Sequence, residues 1–360
     1  MSAAAVHVVV PDGVDDPRRP SGGNHYDRRV CDGLRAAGWT VHEHPVGSWP
    51  SADPATHRRL AEVLASLPDG TTVLVDGLVG SAAPEELAGV ATRLRVVLLV
   101  HLPLGVQGDD GVRAAERAAI GAAAEVVTTS GWSRSWLVTS YGVRPQHVHV
   151  AAPGVEPALL ASGRPDGTGL LCVAAVTPVK GHDLLMAALA TVADLPWRCT
   201  CVGSLEVDPG FAKEVRGRAG AAGIGDRVRF TGALPAGDVS AEYAGADLLV
   251  LASRTETWGM VAVEALARGV PVLGPAVGGL PEAVGRAADG SVPGLLVTPE
   301  DPAALGAGLR RWLTGVPERA RWRAAARDRR GSLPTWPDTV SAVARVLAPE
   351  PAGTGRRRER

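Results

Sequence analysis

Apolar residues in this chain fall in short, nearly unbroken runs instead of alternating with polar ones. VHVVV (6–10), TVLVDGL (72–78), RVVLLVH (95–101) and EVVTTS (125–130) are separated by Ala/Arg-rich segments with helical spacing. The pattern restarts at LLCVAAV (170–176) and continues through WRCTCVG (197–203), RVRFTG (227–232), DLLVLAS (247–253) and VPVLGP (270–275). A strand that is apolar throughout has both faces covered, which is the habit of parallel sheets flanked by helices. The chain is therefore read as α/β, with two doubly wound, Rossmann-like parallel-sheet domains facing across a cleft. The Pro- and Gly-rich stretch PALLASGRPDGTG (157–169) separates the two series as a linker. Helical spacing near 302–330 and two prolines in SLPTWPDTVSAVARVL (332–347) predict a last short helix. The expected organisation is an N-terminal domain over 1–160, a C-terminal domain over 161–331, a terminal helix over 332–348 that crosses back to the first domain, and a flexible basic tail over 349–360.

Length and composition narrow the reading. A chain of 360 residues exceeds one ordinary core and suits two domains. With 46% hydrophobic and 21% charged residues, disorder is confined to the ends. A net charge of -1 supplies no field for nucleic acid. The tail GRRRER (355–360) reads as a solvated terminus. Cys31, Cys172, Cys199 and Cys201 lie in or beside aliphatic runs without CxxC spacing, so they are expected to be buried free thiols. MSAAAVHVVV leads straight into a strand without a charged leader, and no run reaches the roughly 18 apolar residues of a membrane helix. A soluble, cytoplasmic protein is expected, with peripheral membrane contact left open.

Ligands of doubly wound sheets sit beyond the carboxyl ends of the strands, so residues just after each strand are the candidates. Glu256 follows DLLVLAS, and Thr257, Trp258 and Gly259 turn into an apolar helix near Met260. Free N–H groups at that helix start favour an anion, and Gly259 lets a phosphate approach the backbone. Glu264 lies in the same helix, and its two acceptor oxygens suit a pair of vicinal hydroxyls such as those of a ribose. The competing reading pairs Glu264 with Arg268 at i, i+4 and makes Glu256 a helix cap. Only two of the 37 basic residues are lysines, and one of them, Lys180, sits with Gly181 at the turn after LLCVAAV, where an ammonium can meet a pyrophosphate. The alternative there is an exposed lysine. Gly22 and Gly23, in PSGGNHYDRR (20–29), permit close approach of a ligand, and His101 ends RVVLLVH, a position equally open to a structural histidine. The chain has no P-loop, no GxSxG, no HExxH and no Asp-x-Asp. A phosphate here is expected to be neutralised by backbone dipoles and basic side chains, with no metal and no cofactor.

Taken together, these segments resemble a family 4 retaining glycosyltransferase of the two-domain GT-B fold. SRTETWGMVAVEALARGVPVLGPAVGGLPE (253–282) is similar to the family's E-x7-E block and its following Gly-Gly loop. PVKGHDLL (178–185), SGGN (21–24), VHLP (100–103), APGVE (152–156) and TWPDTVSAVARVL (335–347) resemble the donor-phosphate turn, the glycine-rich N-domain loop, the His-x-Pro strand end, the end of the first domain and the terminal crossing helix. The resemblance implies metal-independent transfer of a sugar, with retention, from a nucleoside-diphosphate sugar to an unidentified acceptor hydroxyl in carbohydrate or natural-product biosynthesis. It implies that Glu264 binds the donor ribose, Glu256 the transferred sugar, Thr257 to Met260 the phosphates and sugar through backbone amides, and Lys180 the pyrophosphate, with His101 lining the reacting sugar. Relatives usually place an arginine a few residues before the lysine, where this chain has Ala175, Val176 and Val179; Arg254 and Arg28 are the candidate replacements. A sugar-nucleotide epimerase of the same fold and a degenerate, non-catalytic sugar-nucleotide binder remain as alternatives.

Overall fold

The computed structural model describes residues 4–16 and 21–348, and the expected basic tail lies outside them. Two compact units are present. The first comprises residues 4–16, 21–152 and 336–348, and the second residues 153–335. The second unit thus begins at Pro153, a few residues before the Pro/Gly-rich stretch.

The first unit holds β1 (Ala5–Val10), β2 (Thr40–Pro45), β3 (Thr72–Asp76), β4 (Arg95–Val100), β5 (Glu125–Thr128) and β6 (Val148–Val150) in one parallel sheet of order β2-β1-β3-β4-β5-β6. Val9, Val73, Val75, Val96, Leu98 and Val100 share a buried cluster with Leu60, Leu64 and Leu87 from covering helices. The helix Trp336–Leu347 belongs to this unit and packs on the helix Gly22–Ala36, where a Cβ on Gly33 would lie 2.3 Å from Val340 Cγ2.

The second unit holds β7 (Gly169–Val173), β8 (Arg198–Val202), β9 (Val228–Gly232), β10 (Leu248–Val250), β11 (Val272–Pro275) and β12 (Gly294–Val297), again all parallel, in the order β12-β11-β10-β7-β8-β9. Its unbroken apolar runs are explained by the two faces. Leu170, Cys172, Leu248 and Val250 pack with Leu185, Leu189 and Trp312, whereas Leu171, Leu249 and Val272 pack with Ala262, Leu266 and Leu280. Each residue step along these strands moves from one covered face to the other. All four cysteines are free and buried, as their aliphatic surroundings predict.

Strand order reverses between β1 and β3 in the first unit and between β7 and β10 in the second. At such a switch point the connections leave in opposite directions and open a crevice beyond the carboxyl ends. The second unit, read from β9, has the 3-2-1-4-5-6 order of dinucleotide-binding sheets.

Candidate functional site

Lys180 and Glu256 follow β7 and β10, the two strands at the switch point of the second sheet. Their loops are laced together. Arg254 N–H donates to the Val179 carbonyl at 2.8 Å, and a Cβ on Gly181, held at φ 67°, would lie 1.9 Å from the Ala252 carbonyl oxygen. The result is an ion pair between residues 76 apart in sequence, with Lys180 Nζ 2.8 Å from Glu256 Oε2. The glutamate is 12% exposed and the lysine 32%, so the carboxylate sits behind and the ammonium in front.

The turn after Glu256 is fixed from the other side by the Gly-Gly loop. Gly279 N–H donates to the Glu256 carbonyl at 2.8 Å, and Gly278 lies so close that a Cβ would be 1.8 Å from the same oxygen. Gly259, at φ 100°, is the N-cap of the helix Met260–Ala267 and offers no side-chain cap, so the first N–H groups of that helix have no intrahelical partner. Glu256 is therefore not the cap that the competing reading proposed. Trp258 is buried beside it, with an indole N–H that has no acceptor among the described residues.

Glu264 is half-buried among the fully buried Ala262, Val263, Ala265 and Leu266. Burial raises its pKa, an effect partly offset by the Tyr243 hydroxyl and the charge of Arg268. The i, i+4 reading is corrected here. The Arg268 guanidinium donates to the Glu264 backbone carbonyl at 2.9 Å and to Ser240 Oγ at 3.1 Å, and stacks over Tyr243 at 4.9 Å. The Glu264 carboxylate faces the Tyr243 hydroxyl and feels the Arg268 charge without an ion pair to it.

Neither candidate for the missing arginine is free. Arg254 makes a two-pronged contact with Asp183 at 2.9 and 2.7 Å, so its charge is spent on a carboxylate in the first turn of the helix His182–Ala190. Burial works against the Asp183 charge, but Arg254 outweighs it and holds the carboxyl below its usual range. Arg28, in the first unit, is bound by Asp15 and Glu43, each at 2.9 Å.

In the first unit, Gly22 and Gly23 open the helix Gly22–Ala36 instead of forming a loop, with Ser21 as N-cap accepting from Asn24 N–H at 3.0 Å. The smallness of Gly23 serves His101, because a Cβ there would lie 3.3 Å from its ring. His101 Nε2 lies 2.7 Å from Asp27 Oδ1 and 3.3 Å from Asp76 Oδ2. Burial opposes charge on the ring, but Asp27 and Asp76 outweigh it and lift its pKa to about 10. A raised imidazole pKa stabilises the fold below about pH 6.5, and that contribution is lost as pH rises through about 10. Burial pushes the Asp27 carboxyl up to about 6, against the pull of His101, so at neutral pH imidazolium and carboxylate coexist. One ligand atom from each of the three lies within 4.8 Å of the others, a spacing that also admits a cation. Two ligands spread around a tetrahedral ion stand about 3.3 Å apart, whereas 2.7 Å is the length of a charge-assisted hydrogen bond. A shared proton accounts for the contact.

Asp27, Asp76 and Asp183 are the site residues that sequence reasoning passed over. Asp27 stands one helical turn after Gly23 near the start of the first helix, and Asp76 ends the run TVLVD, so position at a helix start after β1 and at a strand end would have found these two.

Residues 163–329 match the family model described as Glycosyl transferases group 1. The chain is 36% identical over 222 residues to D-inositol 3-phosphate glycosyltransferase 1 of Catenulispora acidiphila, covering 54% of this chain and 51% of the relative. It is 29% identical over 337 residues to the GDP-mannose-dependent alpha-(1-6)-phosphatidylinositol monomannoside mannosyltransferase of Mycobacterium tuberculosis, covering 81% and 82%. The chain spans about half to three fifths of the length of the inositol-phosphate enzymes it matches first. Among solved structures, sucrose-phosphate synthase from Thermosynechococcus elongatus aligns with a TM-score of 0.77 at 21% identity, over 95% of this chain and 98% of that one. Anabaena HepE in complex with UDP-glucose aligns with a TM-score of 0.75 at 19% identity, over 95% and 99%. These likenesses establish the two-domain GT-B fold.

Proposed function

Because residues 163–329 belong to the glycosyl transferases group 1 family, we propose that this chain transfers a sugar from a nucleoside-diphosphate sugar to an acceptor hydroxyl, with retention of configuration and without a metal ion. The observation that carries the reading is the Lys180–Glu256 pair at the switch point of the second sheet, beside an uncapped helix start. An ammonium and unpaired N–H groups suit a diphosphate, a nearby carboxylate suits sugar hydroxyls, and Glu264 eight residues on suits a ribose. The acceptor hydroxyl attacks the anomeric carbon on the face from which the diphosphate leaves. Charge that grows on the leaving oxygen is met by donors already in place, which is where the rate is gained. Names of the first relatives favour an inositol phosphate as the first acceptor to try.

The test incubates the protein with UDP-glucose or GDP-mannose, with and without an inositol phosphate, and reads products and anomeric configuration by NMR. Formation of an α-linked product at a rate that EDTA leaves within about twofold is expected. An altered nucleotide sugar formed without acceptor would make the protein an epimerase. Loss of turnover in EDTA with recovery in magnesium or manganese would overturn the metal-free phosphate site. No helix among the described residues is long and apolar enough to cross a membrane.

Glu264→Gln separates ribose from sugar recognition. Its carboxylate already carries the burial cost, so replacing it with an amide is expected to weaken free UDP or GDP by about tenfold, as loss of one charge-assisted hydrogen bond implies. Calorimetry on nucleoside diphosphate and on the matching 2′-deoxy compound checks this. A wild-type protein that binds both equally has no ribose contact at Glu264.

A further inference from the structure

Two carboxylates, Asp27 and Asp76, lie 4% and 3% exposed behind an imidazole whose side chain is 14% exposed. The three residues come from separate elements, namely the helix after β1, the end of β3 and the end of β4, and meet at the switch point of the first sheet. The ring is held at Nε2 and packed at Cδ2 and one edge. Asp27 is 2.7 Å from Nε2 and Asp76 is 3.3 Å away, while Gly23 leaves room at Cδ2 and Tyr26 stands edge-on at 5.0 Å with its hydroxyl donated to the Ala151 carbonyl. Asp76 is itself aimed, since its other oxygen accepts from Leu78 N–H at 2.8 Å. Thr129 adds a hydroxyl that donates to the His101 carbonyl at 3.3 Å.

A buried ionic cluster is a weak source of stability, because desolvation cancels most of the attraction, and apolar residues of similar volume commonly serve the core as well. This cluster is also incomplete. Among the described residues, His101 Nδ1 and Asp27 Oδ2 have no partner, although buried polar atoms nearly always find one. One is a donor on a charged ring and the other an acceptor, the two halves of what a hydroxyl can satisfy.

We infer that Asp27 and Asp76 are positioning residues that act through His101, holding its ring charged and oriented so that a ligand oxygen at the carboxyl edge of the first sheet meets a fixed donor. The inference rests on the sugar-transfer reading for one point, that this oxygen belongs to a sugar or polyol hydroxyl. A neutral imidazole could present either a donor or a lone pair there. With its Nε2 proton shared between two carboxylates, the ring presents only donors, which excludes the wrong hydroxyl orientation. The charged groups facing the ring are Asp27 from the helix and Asp76 from the end of β3. Tyr26 stays neutral because burial raises its hydroxyl pKa far above the usual range.

The test uses the full chain with labelled histidine, His101 being assigned by the signal missing in His101→Gln. Ring nitrogen shifts are followed from about pH 6 to pH 10 in wild type and in Asp27→Asn, which keeps the shape and removes the charge. Wild-type His101 is expected to keep the doubly protonated signature through neutral pH. In Asp27→Asn it should titrate within about one unit of 6.5. The affinities for UDP and GDP should hold. With whichever of UDP-glucose and GDP-mannose is accepted, kcat should acquire a limb that falls with rising pH, with KM within about twofold. Wild-type His101 found neutral at pH 7.5, or unchanged titration and kcat profile in Asp27→Asn, overturns the inference. If neither nucleotide sugar is turned over, the sugar-transfer reading fails on its own and the ring titration decides the positioning role. Should Asp27→Asn fail to fold, Asp76→Asn, which retains an oxygen for Leu78, carries the same measurement.

Discussion

Lys180→Ala is expected to weaken UDP and GDP binding by about ten- to a hundredfold, the worth of a charge-assisted hydrogen bond to phosphate. The rate should fall further, since leaving-group charge grows toward the transition state. The structure adds a reason for severity. Lys180 Nζ is 2.8 Å from Glu256 Oε2, so removing the ammonium leaves a carboxylate that is 12% exposed without its partner and close to where the phosphate would sit. Glu256→Gln should do the reverse, keeping or tightening free diphosphate binding while turnover drops, because the sugar contact is lost and Lys180 is released. In the double variant part of the Lys180→Ala loss should be recovered, and the coupling in that cycle measures the pair. Lys213, in the helix Pro209–Ala221, is the control and should tolerate Ala. Calorimetry on wild type and all four variants at one ionic strength decides the matter. Wild-type affinity in Lys180→Ala would place the phosphate site elsewhere.

Both lysine and glutamate were legible in the sequence because each closes a strand that is apolar along its whole length, and such strands are central. What the sequence did not display was the pair itself, whose members are 76 residues apart and meet only when β10 lies against β7. The strands that escaped notice are edge strands. TVHEHP (β2) alternates and carries two histidines because one side meets solvent, VHV (β6) is three residues long, and GLLV (β12) is four residues long and opens on a glycine. The helical segment at 302–330 is two helices, Pro302–Thr314 and Val316–Arg329, divided at Gly315. Asp27 went unnoticed because a carboxylate in an amphipathic helix ordinarily faces water, and its burial depends on two other strand ends. Fold follows from local pattern, whereas a site made of strand ends depends on which strands are neighbours, and short apolar runs carry no information on order.

Gly181→Ala is expected to lower the unfolding temperature of the second unit by roughly 5–15 °C, from a loss of about 2–5 kcal/mol. Two costs combine. Gly181 sits at φ 67°, where a Cβ costs about 1–2 kcal/mol, and that Cβ would lie 1.9 Å from the Ala252 carbonyl oxygen. Backbone cannot yield as a side-chain tip does, so the turn after β7 must move away from the end of β10. Gly223 separates the costs, since it has nearly the same φ, 68°, and nothing within 4 Å of a built Cβ. Gly223→Ala should show the conformational cost alone, a shift of a few degrees. The excess in Gly181→Ala then measures the close approach of the two loops. Because those loops carry Lys180 and Glu256, the variant should also lose nucleotide-sugar affinity at temperatures where it is fully folded, whereas Gly223→Ala should keep it. Equal shifts for the two variants would mean that the loop after β10 adjusts freely, and the preformed Lys180–Glu256 geometry would not be a rigid feature of the site.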